Sequence, residues 1–216
     1  MQTKHKKVEK RISTNVIAAI SSLFIIIGGF FLFNNYITKK KIYAYDYVAN
    51  IFYKAKEETK IVETVEKEEK EEEDKIEVSP EGYIGYLEIP KINLSKGFVD
   101  KNSPDNDVDK NIYIAPKSDY PDVENGNFII AGHSGTGWRA FFNDLYKLEK
   151  GDHINISYKN RDYTYIIDDI YTQPKTGTIS IYRNQRRNTV TLVTCTNNDS
   201  TTQTVYIAYL VDTQDI

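Results

Sequence analysis

The chain has 216 residues and a net charge of −3. That length fits one domain with appendages, and the near-neutral balance supplies no basic field for nucleic acid. A single cysteine, Cys195, excludes an internal disulfide. Seventeen tyrosines point to a β-rich core, because tyrosine favours strands.

Residues 1–11 carry Lys4, Lys6, Lys7, Lys10 and Arg11 against one acid, Glu9. Residues 16–33, VIAAISSLFIIIGGFFLF, then run without a charge. As a helix they would reach about 27 Å, close to the hydrocarbon thickness of a bilayer. No polar stripe recurs at helical spacing, as it would in a core helix, and no small-residue cleavage site follows. We expect an uncleaved, single-pass signal anchor over residues 16–37. The larger basic cluster precedes it, so the positive-inside rule puts residues 1–15 in the cytoplasm and the remainder outside the cell membrane.

Residues 54–75, KAKEETKIVETVEKEEKEEEDK, hold ten acids and six lysines. So few apolar side chains cannot bury a core, which leaves a solvated helix or a self-repelling coil. Residues 38–79 are expected to be a stalk.

From Ser79-Pro80 the texture changes, and residues 80–216 are expected to fold. Strands are expected over residues 83–89, 92–99, 112–115, 127–131, 153–158, 163–171, 190–194 and 204–211. Residues 138–148, WRAFFNDLYKL, are expected to be helical, with Phe141, Phe142, Leu145 and Leu148 at apolar spacing. About eight short strands with little helix predict a mainly β barrel or sandwich. The acidic run Asp105-Asn106-Asp107-Val108-Asp109 fails as a calcium loop. Lys110 stands where glycine is needed, and Pro116 where a glutamate is needed. It reads as a polar surface loop.

Cys195 closes TLVTC, residues 191–195, a strand-like run followed by the loop TNNDS. The thiol is therefore placed at a strand end, where packing and nucleophilic roles are both open. Of three histidines, His5 precedes the apolar run and His153 follows a Gly-Asp turn. His133 follows the strand-like FIIAG and opens the glycine-rich HSGTG, the way a general base is often presented.

The pair Ala131-Gly132-His133 and Thr191-Leu192-Val193-Thr194-Cys195, with Leu148 to Asp152 as Leu-x-x-Gly-Asp, resembles the sortase family of Gram-positive cell surfaces. The opening GYIGYLEIPKI, residues 82–92, is similar to that family's first strand. This resemblance implies an eight-stranded β-barrel with one or two short helices. It implies a cysteine transpeptidase that cuts an LPxTG-like C-terminal sorting signal after the threonine, through a thioester on Cys195, with His133 as acid and base. The implied partners are surface proteins carrying such a signal, a cell-wall precursor or pilin amine as acceptor, and the cytoplasmic membrane. No cofactor and no metal is called for.

One departure stands out. The family carries an arginine on the strand after the cysteine, yet residues 196–216 contain neither arginine nor lysine. By alignment on residues 205–208, VYIA, the arginine position falls on Gln203. Three outcomes stay open: Gln203 is a neutral donor, an arginine reaches in from elsewhere, or turnover is slow. The last would make a relative that binds sorting peptides or pilin-like partners without efficient turnover. Arg139, Arg183, Arg186 and Arg187 are the candidate arginines. Residues 172–188 are expected to line a peptide groove, with Ser134, Thr194, Arg139, Arg183 and Arg186 as candidate substrate contacts.

Overall fold

The computed structural model describes residues 82–216 apart from 136 and 138, together with residues 18, 20–34, 36–37, 40–41, 48 and 50. Its contacts form two units, Met1–Lys40 and Lys41–Ile216. In the first, residues 20–34 are helical, and Phe24, Ile25, Phe30, Phe31 and Leu32 are all exposed. Among the described residues no helix is long and apolar enough to cross a membrane. The expected basic segment, most of the expected stalk and parts of the expected anchor lie outside the described residues.

In the second unit eight strands are described: β1 (Tyr83–Ile89), β2 (Leu94–Val99), β3 (Tyr113–Ile114), β4 (Asn127–Ala131), β5 (His153–Tyr158), β6 (Arg161–Pro174), β7 (Thr189–Cys195) and β8 (Thr202–Asp215). They form one sheet in the order β2-β1-β5-β6-β8-β7-β4-β3, curled into a nearly closed, mainly β barrel. Every pairing is antiparallel except β4 with β7. Local chemistry sets the corners. Pro90 cannot donate to a ladder and ends β1, and the turn closes on Asn93 in the left-handed region at φ 51°. Lys159 and Asn160 form the two-residue β5–β6 link with φ of 47° and 58°, the geometry that matches strand twist in a hairpin.

Neither β7 nor the first half of β8 alternates between buried and exposed, because both of their faces are covered. One face, with Val190, Leu192, Tyr206 and Ala208, joins the main core of Leu87, Phe98, Phe128, Ile156 and their neighbours. The other carries Val193, Val205, Ile207 and Tyr209, packed with Ala131, Tyr171 and Ile181. Side chains two apart share a face. Cys195 therefore stands on the second face, beyond Val193, rather than inside the barrel.

Two expectations change here. Residues 139–148 do not form an α-helix: turns fall at residue 139 and over residues 141–144, and a single 3-10 turn covers Leu145–Lys147. Ala140, Phe141, Phe142, Leu145 and Leu148 are all buried, and the backbone closes three-residue turns such as Asn143 N–H to Ala140 O and Leu148 N–H to Leu145 O, while Phe142 N–H reaches out to His133 O at 3.0 Å. Helical spacing recorded burial, not helix. The strands are also not all short. β6 and β8 each run 14 residues and stay paired from Arg161↔Asp215 to Pro174↔Thr202.

Candidate active site

Parallel pairing of β4 with β7 sets Ala131 against Val193, and three bonds carry the alignment past the strand ends. Gly132 N–H donates to Val193 O at 3.2 Å. Thr194 Oγ1 donates to Gly132 O at 2.8 Å, and Ser134 Oγ donates to Cys195 O at 2.8 Å. Together they lay residues 131–134 along residues 193–195, so His133 and Cys195 leave neighbouring strands at the same end. Gly132 has to be glycine for a steric reason. A Cβ there would lie 2.8 Å from Cγ of the buried Phe142 ring, closer than carbon atoms pack.

His133 Nε2 lies 2.9 Å from Asp109 Oδ1, with its side chain 44% exposed. Asp109 belongs to the acidic loop that reads as mere surface in the sequence. Arg139 Nη1 donates to the Asp109 backbone carbonyl at 2.7 Å. Exposed pairs of this kind contribute only about 0–1 kcal/mol, so the contact orients the imidazole more than it stabilises the fold.

The half-buried Cys195 has a different neighbour. Lys175 Nζ donates to its Sγ at 3.4 Å. Gln203 stands directly opposite Cys195 in the β7–β8 ladder, with its amide turned to Thr178 O at 3.3 Å. On the turn that follows Cys195, Asp199 accepts bonds from Thr201 N–H, Thr201 Oγ1 and Thr202 Oγ1. Those side-chain bonds, first the one from Thr201, hold its carboxyl below the usual carboxylate range.

The other expected residues divide. Ser134 and Thr194 are at the site, although both hydroxyls are engaged by backbone carbonyls. Arg139 reaches Asp109 beside His133. Arg183 bonds Asn125 O, Arg187 O and Thr189 Oγ1, and Arg187 lies 4.0 Å over the Tyr209 ring. Thr189 begins the strand that Cys195 ends, and six residue steps span about 20 Å. The structure thus places Arg183 and Arg187 at the far end of β7. Arg186, whose N–H bonds Asn184 Oδ1, belongs to the same turn.

Two groups at the site are not singled out by the sequence: Lys175, within the connection expected to line the groove, and Asp109. Lys175 follows from β6 once that strand is known to reach Pro174. Asp109 carries no signal in the chain, because only the folded loop brings it to His133.

Over this barrel the comparisons with known proteins agree. The sortase domain family matches residues 87–211, and the chain belongs to the sortase family, whose members are cysteine transpeptidases. It is similar to the sortase D5 transpeptidase of Clostridium perfringens, at 29% identity and a TM-score of 0.52, over 63% of this chain and 83% of that one. Sortase C1 of Streptococcus agalactiae is similar at 28% identity and a TM-score of 0.53, over 64% and 72% of the two chains. Sortase A of Listeria monocytogenes, at 20% identity and a TM-score of 0.53 over 62% and 91%, shares the fold. No curated protein matches the sequence.

Proposed function

We propose that the chain is a membrane-anchored transpeptidase that cleaves an LPxTG-like C-terminal sorting signal and transfers the acyl group to an amine of the cell wall or of a pilin. The observation that carries this reading is the strand-end alignment of residues 131–134 with residues 193–195, within a family of cysteine transpeptidases.

In the proposed mechanism Cys195 attacks as thiolate, the form in which sulfur is nucleophilic. Its sulfur forms a bond to the threonine carbonyl carbon, and the carbonyl electron pair moves onto oxygen. The tetrahedral intermediate collapses as the C–N bond breaks. His133 as imidazolium gives its proton to the departing amine, leaving a thioester. The acceptor amine attacks that thioester, the thiolate leaves, and the amine's surplus proton returns to His133. Peptide binding turns the imidazole from Asp109 towards the sulfur. Residues 175–188 overlie the Cys195 face through Ile181 and form one wall of the peptide groove.

For the N-terminal part the proposal is a signal anchor over residues 16–37 and a stalk over residues 38–79, with the barrel outside the cell. Support comes from the uncharged run and from the exposure of its described apolar side chains, which in water would be costly.

The missing arginine favours a second reading, a relative that binds sorting peptides without efficient turnover. Incubating the full chain with sorting-signal peptides and an amine separates the two. Transpeptidation product, absent for Cys195→Ala, supports the enzyme; saturable binding with no product supports the second reading.

A further inference from the structure

Negative charge develops first on sulfur and then on the carbonyl oxygen, and a positioned cation stabilises it beyond what neutral donors supply. Residues 196–216 offer none. Two registers show where one comes from. Gln173 pairs with Gln203 across β6 and β8, and Gln203 pairs with Cys195 across β8 and β7. Gln173, Gln203 and Cys195 thus form one row across three strands. Lys175 lies two residues beyond Gln173 and therefore returns to the same face. Its N–H donates to Thr201 O at 2.9 Å, continuing the β6–β8 pairing one residue past Pro174. Its ammonium then sits 3.4 Å from Cys195 Sγ.

The rest of that row holds the loop in place. The Gln173 amide both accepts from Ser180 N–H and donates to Ser180 O, and Gln203 Nε2 donates to Thr178 O. Tyr171 OH donates to Ser180 O and accepts from Tyr182 N–H. Competing acids and cations are engaged elsewhere: Asp199 with Thr201 and Thr202, Arg139 with Asp109 O, and Arg183 at the opposite end of β7.

We infer that Lys175 is a catalytic residue of this site, delivering from the β6–β7 connection the positive charge that the final strand lacks, with Gln203 and Gln173 as the residues that position its loop. The inference rests on the transpeptidase reading above. Lys175 acts through its ammonium charge and passes on no proton. Its N–H pairs with the thiolate before attack and turns to the carbonyl oxygen as the sulfur–carbon bond forms and the electron pair moves onto that oxygen. His133 alone moves protons. A lysine is a compact, rotatable charge, whereas an arginine is a planar fork, so one ammonium can serve both anions in turn.

The test compares the full chain as wild type, Lys175→Met and Lys175→Arg, with melting temperature recorded for each. Two rates are read at fixed pH: alkylation of Cys195 by iodoacetamide, and thioester formation with an LPxTG-type peptide. Lys175→Met is expected to slow alkylation about tenfold and thioester formation about a hundredfold, with a melting temperature within about 2 °C of wild type. Lys175→Arg is expected to recover most of both rates. Wild-type rates in Lys175→Met would overturn the inference. So would an arginine variant as slow as the methionine one, or a hydroxylamine-resistant acyl group on Lys175, which would make it an acceptor. A wild-type chain that alkylates normally but never forms a thioester overturns the transpeptidase reading instead, since alkylation tests the Lys175–Cys195 pairing without any peptide.

Discussion

Gly132 shows how one residue couples packing to chemistry. The Phe142 ring fills the space a Cβ would take at Gly132, and the Phe142 N–H holds His133 O. Adding a methyl must displace either the ring or the strand end. We predict that Gly132→Ala costs about 1–3 kcal/mol of stability and lowers kcat for acyl transfer, because His133 follows directly. Urea unfolding and steady-state rates check both, and an unchanged rate in the destabilised variant would separate packing from the site. Gln203 offers a second prediction at this scale. Its amide tethers Thr178, so Gln203→Ala is expected to slow transfer through a loosened Lys175 loop, roughly tenfold. Gln203→Arg places a charge directly opposite Cys195 and is expected to act even when Lys175 is replaced. A Gln203→Ala enzyme with wild-type rates would remove both roles.

At the scale of elements, the β4–β7 strand ends are the part to perturb. Thr194 faces the interior and its buried hydroxyl satisfies Gly132 O. Thr194→Val keeps the shape and leaves that carbonyl unpaired, a cost of about 1–3 kcal/mol. Circular dichroism melts are expected to show the loss, with the rate falling as the two strand ends drift apart. Much of this architecture was legible in the sequence. All eight strands follow from apolar, β-branched and aromatic runs between turn residues, and the AGH and TLVTC pair marks the two strand ends. What was not legible has physical causes. Residues 138–148 carry helical spacing, yet the described backbone closes successive three-residue turns, and the Phe142 N–H is taken by His133 O. β6 and β8 extend past their apolar stretches because pairing with each other satisfies their polar halves. Lys175 was hidden by that underestimated strand length, and Asp109 by a loop whose fold depends on Asn106 bridging Lys101 O and Ile114.

For the whole molecule, the abundant tyrosines set an alkaline limit on stability. Burial pushes the phenols of Tyr120 and Tyr206 from 10.0 up to about 12, and burial raises those of Tyr158 and Tyr165 as well. Each phenol is held neutral in the folded chain and ionises more readily once unfolded. Their contribution is therefore complete below the unfolded value of 10.0 and is lost as pH rises towards about 12. Urea midpoints are expected to hold level up to the lower value and to fall above it, with tyrosinate absorbance from these rings lagging behind the exposed ones. Simultaneous ionisation of every ring in the folded state would contradict this.

The most direct measurement of the central claim is single-turnover acylation followed by intact-protein mass spectrometry. The full chain mixed with a sorting-signal peptide is predicted to gain one acyl group on Cys195, released by hydroxylamine. Cys195→Ala is predicted to gain none, and His133→Ala to gain it about 10²–10⁴-fold more slowly. A wild-type chain that stays unmodified across sorting peptides, or acylates equally fast without His133, would contradict the account.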